Sequence, residues 1–135
     1  MATFTKFEPF VENLAEGKHN LGSNQLAVAL TNTAPTNTFS TLSQVTEISY
    51  ANCSSRNITT STSAQTSGTY KLVLADLVLT ASGTVGPFRY VVVYDDTSTS
   101  DNLIASYDYG SSITLNNGET FTIDFDASGG VLTLA

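Results

Sequence analysis

The sequence predicts an all-β protein: an antiparallel two-sheet sandwich, jelly-roll-like or immunoglobulin-like in strand order, with one short N-terminal helix. Three observations predict it. About eight short runs with strand character are separated by turns rich in Gly, Asn and Ser. The stretch Gly86 to Asp96, GPFRYVVVYDD, is apolar on both faces, with Phe88, Tyr90, Val92 and Tyr94 one way and Val91 and Val93 the other. Such a strand must be covered on both sides, which places it in the middle of a sheet. Finally, Phe121, Ile123 and Phe125 alternate with Thr122, Asp124 and Asp126, the period of a strand with one wet face.

The chain of 135 residues is long enough for a single domain, 1–135, with 1–20 as an N-terminal helical segment or arm. Five bases against twelve acids give 5 − 12 = −7, and the bases are scattered. That charge excludes nucleic acid and anionic membrane as natural partners. No basic patch precedes an apolar run and no segment approaches the ~20 apolar residues of a membrane span, so the expectation is synthesis in the cytoplasm without a signal peptide. Cys53 is the sole cysteine, which rules out an intrachain disulfide and fits a reducing compartment. Asn52-Cys53-Ser54 and Asn57-Ile58-Thr59 match the glycosylation sequon by letter alone.

In chain order, Pro9 to Glu16 reads as the helix, with Pro9 at its first position, Glu12 near its positive end and Gly17 at its stop. Phe10, Val11 and Leu14 form its apolar stripe, and Phe4 and Phe7 lie just upstream. This segment either packs on its own sandwich or docks on a neighbour. Gln25 to Thr31 is a strand with Leu26, Val28 and Leu30 on one face and small Ala27 and Ala29 on the other. Thr31 to Thr46 carries no charge and is too long for a tight connection, so it is a floppy loop or an ordered contact arm. Between His19 and Tyr70 only Glu47 and Arg56 are fully charged, and interface cores share that depletion.

Ile48 to Tyr50 and Arg56 to Thr62 are weaker strands, and Tyr70 to Leu79 is a strong one interrupted by Asp76. That Asp is read as paired with Lys71 or Arg89, or as sitting at a bend. Asp95 to Asn102 reads as an exposed turn rather than a calcium loop, since it has neither the Gly nor the Glu of an EF-hand. Leu103 to Tyr109 and Ser112 to Leu115 are strands parted at Gly110, and Asn117-Gly118 is a hairpin signal. Asp124 and Asp126 share one side of their strand, where they either hold a cation together or guard an edge from pairing. Ser128-Gly129-Gly130 turns into a last strand, Val131 to Leu134.

Chemistry is sparse. Nucleophilic catalysis by a triad needs a histidine beside the nucleophile, and the sole histidine, His19, reads as structural. One Cys and one His fall short of a zinc site, and no GxGxxG or GxxxxGK cradle is present. The reading is a protein without catalytic residues, cofactor or metal. Six tyrosines in a chain without tryptophan leave a carbohydrate-binding sandwich as the rival.

Three segments carry a resemblance: FVENLAEGKHNLGSNQLAVALTNTAP (Phe10 to Pro35), GPFRYVVVYDDTSTSDNLIASYDYG (Gly86 to Gly110) and GETFTIDFDASGGVLTLA (Gly118 to Ala135). In pattern and order the chain resembles small virion proteins of tailed bacteriophages, and among these the all-β cement or decoration proteins of the capsid. The resemblance implies a structural component on the capsid surface that binds the major capsid protein. It also implies self-association, as a homodimer or a trimer. A tail or fibre protein binding host-surface carbohydrate is the alternative. The contacts are expected from charge-poor surface, namely Phe4, Phe7, Phe10, Pro35, Phe39 and Leu42, while Asp95, Asp96 and Asp101 are expected in water.

Overall fold

The computed structural model describes residues 2–135. Its elements are β1 (Thr5–Lys6), α1 (Glu8–Ala15), β2 (Leu26–Thr31), β3 (Asn57–Ile58), β4 (Thr60–Thr66), β5 (Thr69–Leu74), β6 (Leu77–Thr80), β7 (Val85–Asp95), β8 (Leu103–Leu115), β9 (Thr120–Ile123) and β10 (Leu132–Leu134). All strand pairs are antiparallel. The main sheet has the order β1-β8-β7-β2-β3, so the doubly apolar strand β7 does lie at its centre. The second layer is divided into β10-β5-β4 and β6-β9.

The two faces of β2 explain the layering. Leu26, Val28 and Leu30 enter the larger core, where Val91 and Val93 of β7 meet Leu72 and Leu74 of β5, Leu79 of β6 and Ile123 of β9. Ala27 and Ala29 point the other way, into a smaller core with Phe7, Val45, Val92, Tyr94 and Leu103. Small side chains on that face let the chain approach the sheet closely, and the cover is a loop rather than a third sheet. Each fully buried Leu or Phe contributes about 2–3 kcal/mol, so both cores matter to stability.

Phe88 departs from the alternation. It lies in the larger core with Val91 and Val93 rather than beside Val92 and Tyr94. The cause is a register shift: Tyr90 pairs with Asp108, but Phe88 pairs with Ile113. Extra residues of β8 bulge out there around Gly110, whose φ of 100° suits glycine, and the alternation of β7 breaks at the same place, so that Phe88 and Val91, three apart, share a face. Gly110 therefore bends one long strand instead of dividing two.

The helix ends as its sequence requires. Gly17 takes φ 81°, its N–H donates to the Leu14 carbonyl, and the Lys18 N–H donates to Asn13, which together close the C-terminal turn. The buried stripe differs from expectation, because Phe10 and Asn13 face the protein while Val11 is 53% exposed. Phe7 is wholly buried in the smaller core. The loop from Thr31 to Thr46 is held by its own chain. Leu42 N–H donates to Asp101 and Leu103 N–H donates to Ser40, while Phe39 and Leu42 pack on the smaller core. The 3₁₀ turn Leu42–Gln44 is capped from one side, with Gln44 Oε1 accepting the Ser40 and Thr41 N–H groups at 2.6 and 3.1 Å.

In the second layer the run Tyr70 to Leu79 breaks where expected. Asp76 sits at the bend between β5 and β6 and accepts the Phe125 N–H at 2.9 Å, so it needs no base. Arg89 pairs instead with Asp108 at 2.8 Å. The Asn117-Gly118 turn forms, with Gly118 at φ 86°, yet it makes no hairpin. The strand after it, β9, leaves β8 and pairs with β6, and the Gly118 N–H bonds the Ala81 carbonyl. Ile48 to Tyr50 lies alongside β2 without joining the sheet, through Ile48 N–H to Leu30 and Leu30 N–H to the Tyr50 hydroxyl.

Asp95 is the largest departure from the sequence reading. Expected in water, it is fully buried at the end of β7. Asp96 is exposed and Asp101 is half-buried.

Candidate functional site

Strand pairing brings aromatic residues from three parts of the chain to one groove of about 510 Å³. Tyr107 and Tyr109, two apart on β8, share a face. β1 pairs with β8 through Thr5 and Ser106, and this brings Phe4 against Tyr107, edge to face at 5.9 Å. β9 supplies Phe121, which stands edge-on to Tyr109 at 5.3 Å and to core Phe88 at 5.2 Å. The rings are thus braced from below, and Tyr109 remains 53% exposed. Burial pushes the Tyr107 phenol up to about 12, so it stays a neutral hydroxyl.

One side of the groove is acidic. Asp124 and Asp126 both line it. Asp126 is fixed, because its Oδ1 accepts the N–H groups of Ser128 and Gly129 at 2.9 Å each. Asp124 has no hydrogen-bond or ion-pair partner among the described residues. The nearest base to this turn, Lys71, holds the Ser128 carbonyl at 3.0 Å and forms no ion pair with either carboxylate. No Lys, Arg or His lines the groove among the described residues. Among those residues no group of three or more His, Cys, Asp or Glu side chains gathers as a metal site would require.

His19 and Asp95 form a second polar cluster, inside the protein. His19 Nδ1 donates to Asp95 Oδ2 at 3.0 Å, and Asn24 Nδ2 donates to the same oxygen at 2.7 Å. The backbone N–H groups of Thr97 and Ser98 donate to Oδ1. Burial works against ionisation of Asp95, yet the hydrogen bonds from His19 and Asn24 and the Ser98 amide together hold its carboxyl below the usual range. Neither side chain has exposed surface. A histidine so enclosed orders the loop after α1 and meets no substrate.

The residues singled out for contact do not form one patch. Phe4 lines the groove and is half-buried. Phe7 and Phe10 are inside, in the smaller and larger cores respectively, so neither offers a side chain to a neighbour. Pro35, Phe39 and Leu42 are half-buried in the loop, the last two against the smaller core. Tyr107 and Tyr109 were not among the residues singled out. Their i, i+2 spacing in SYDYG was the available signal.

The long outer edge of the second layer is also open. β4 pairs only with β5, and no backbone hydrogen bond reaches its other side among the described residues. From Asn57 to Tyr70 no residue is charged. Just before this run, Arg56 lies over the Tyr50 ring at 3.6 Å and 4.0 Å from Glu47, so the two charges of the Asn20–Thr69 tract sit together.

No family model matches the sequence, and no curated protein or solved structure is similar to it.

Proposed function

We propose that the protein is a non-catalytic component of a tailed-bacteriophage particle, a cement or decoration protein that binds the assembled shell and bridges neighbouring major capsid subunits. The resemblance of its three segments to small virion proteins supports this reading. One observation carries it furthest: β4 is a seven-residue edge strand, open along one side and free of charge. Stable soluble proteins commonly guard such an edge with Lys, Pro or a bulge in its middle, because bare N–H and C=O groups recruit another strand. Here the sole irregularity is at its start, between Thr60 and Thr62. An extended segment of a shell subunit, or of a second copy, adds to this edge by main-chain hydrogen bonds.

A ligand that binds only the assembled shell stabilises it by RT ln(1 + [L]/Kd) per site, about 2.7 kcal/mol at a hundredfold excess over Kd. Many copies on a lattice make even weak sites effective. The test is to strip or omit the protein and measure DNA release on heating. Particles without it should assemble normally and leak at lower temperature, and added protein should restore them. Equal heat resistance with and without the protein would overturn the reading in favour of a tail or fibre role.

A further inference from the structure

We infer that the aromatic groove is a receptor for a cationic side chain, a lysine or arginine on an extended segment of a partner protein, held between the rings of Tyr109, Phe121 and Phe4 and the carboxylates of Asp124 and Asp126.

The charge of the groove selects this occupant. Two carboxylates line it and no base does, so an anion is repelled and a purely apolar group would cover Asp124 without compensation. A hard metal ion wants six or more oxygens, whereas most of the lining here is aromatic and aliphatic. A sugar needs donors and acceptors in alternation, and the side-chain donors available are two tyrosine hydroxyls and Thr122. A lysine or arginine satisfies each part at once. Its aliphatic stem lies along Val91, Ile123 and Val131 at the groove floor, and its head reaches the carboxylates. Aromatic faces attract the same cation through their quadrupoles. The groove, at about 510 Å³, is larger than one side chain, which leaves room for flanking backbone.

This goes beyond the particle reading. Selectivity for a cation belongs to the isolated protein, and a shell subunit enters only as the source of the segment. Failure of the groove therefore leaves the heat-release experiment untouched, and the converse also holds.

The experiment is an NMR titration of the full chain with Nα-acetyl-lysine methylamide, its norleucine counterpart and a set of methyl glycosides. The lysine probe should give saturable shifts at Tyr109, Phe121 and Thr122, and the norleucine probe none. Asp124→Asn removes no hydrogen bond of the fold and should weaken lysine binding about tenfold, as should Tyr109→Ala. Thermal unfolding verifies that both variants remain folded. Equal binding of lysine and norleucine, saturation by a glycoside but not by lysine, or no saturation by any probe would each overturn the inference.

Discussion

His19 and Asp95, 76 positions apart, meet at 3.0 Å with no exposed surface on either side chain. The pair ties the loop after α1 to the end of the central strand, and Asn24 and the Thr97 and Ser98 amides complete the carboxylate's partners. Because an ionised carboxylate only accepts, His19 carries a proton on Nδ1.

Removing one partner of such a pair leaves the other buried without compensation. Asp95→Ala should therefore cost about 3–5 kcal/mol, measured by urea unfolding. A loss below about 1 kcal/mol would mean that the cluster is incidental to stability.

The acid limb of stability follows from the same group. The folded Asp95 carboxyl titrates below its unfolded value, so its contribution is complete above about pH 4 and disappears as pH falls through the lower folded value. Asp108, lowered by Arg89 at the surface, acts in the same direction, while Asp101, raised by burial and by Asp96 and Asp95, acts against it. Melting temperature should stay level from pH 7 to about 5 and fall steeply below about 4. Asp95→Asn should flatten that fall, and an unchanged slope would assign the acid limb to other carboxylates.

Gly86 sits at φ 114°, and a Cβ there would come within 2.8 Å of the Ile113 carbonyl oxygen. The strained backbone and the contact together predict a loss of about 2 kcal/mol or more for Gly86→Ala, read from the denaturation midpoint. A neutral result would show that β7 and β8 shift freely at their bulge.

The loop from Thr31 to Thr46 should be protected from amide exchange in the free protein at Leu42 and Val45, whose N–H groups are bonded to Asp101 and Leu42. Phe39→Ala should cost about 1–2 kcal/mol, less than a full core deletion because the ring is half-buried. Rapid exchange at Leu42 without a partner present would return the loop to the role of a contact arm.

Periodicity made the inward and outward sides of β2 and the reach of β7 legible, because Leu26, Val28 and Leu30 alternate cleanly with Ala27 and Ala29. It misplaced Phe88, since the alternation of β7 breaks where its register with β8 shifts, and the apolar run Phe88 to Tyr94 carries no mark of that break. Asn117-Gly118 specified a turn correctly. A turn fixes local conformation only, and the pairing of β9 with β6 was decided by burial of Phe121 and Ile123 against the core. Asp95 read as a solvent marker because His19 and Asn24 come from far upstream. The acidic side of the groove was visible in the spacing of Asp124 and Asp126. Its aromatic side was not, because β8, β9 and the N-terminal segment meet there only in the folded chain.

Attachment to a particle through the open edge of β4, as proposed, would be visible by cryo-electron microscopy of that particle. Copies in the hundreds are expected on the shell, each with a strand from a neighbour paired along Thr60–Thr66. A Thr62→Glu, Thr66→Glu double variant, which puts charge on the edge at two exposed residues opposite Val73 and Thr69, should fail to occupy those positions on the shell. A few copies confined to the tail, or a shell-bound protein with β4 facing solvent, would contradict the proposed attachment.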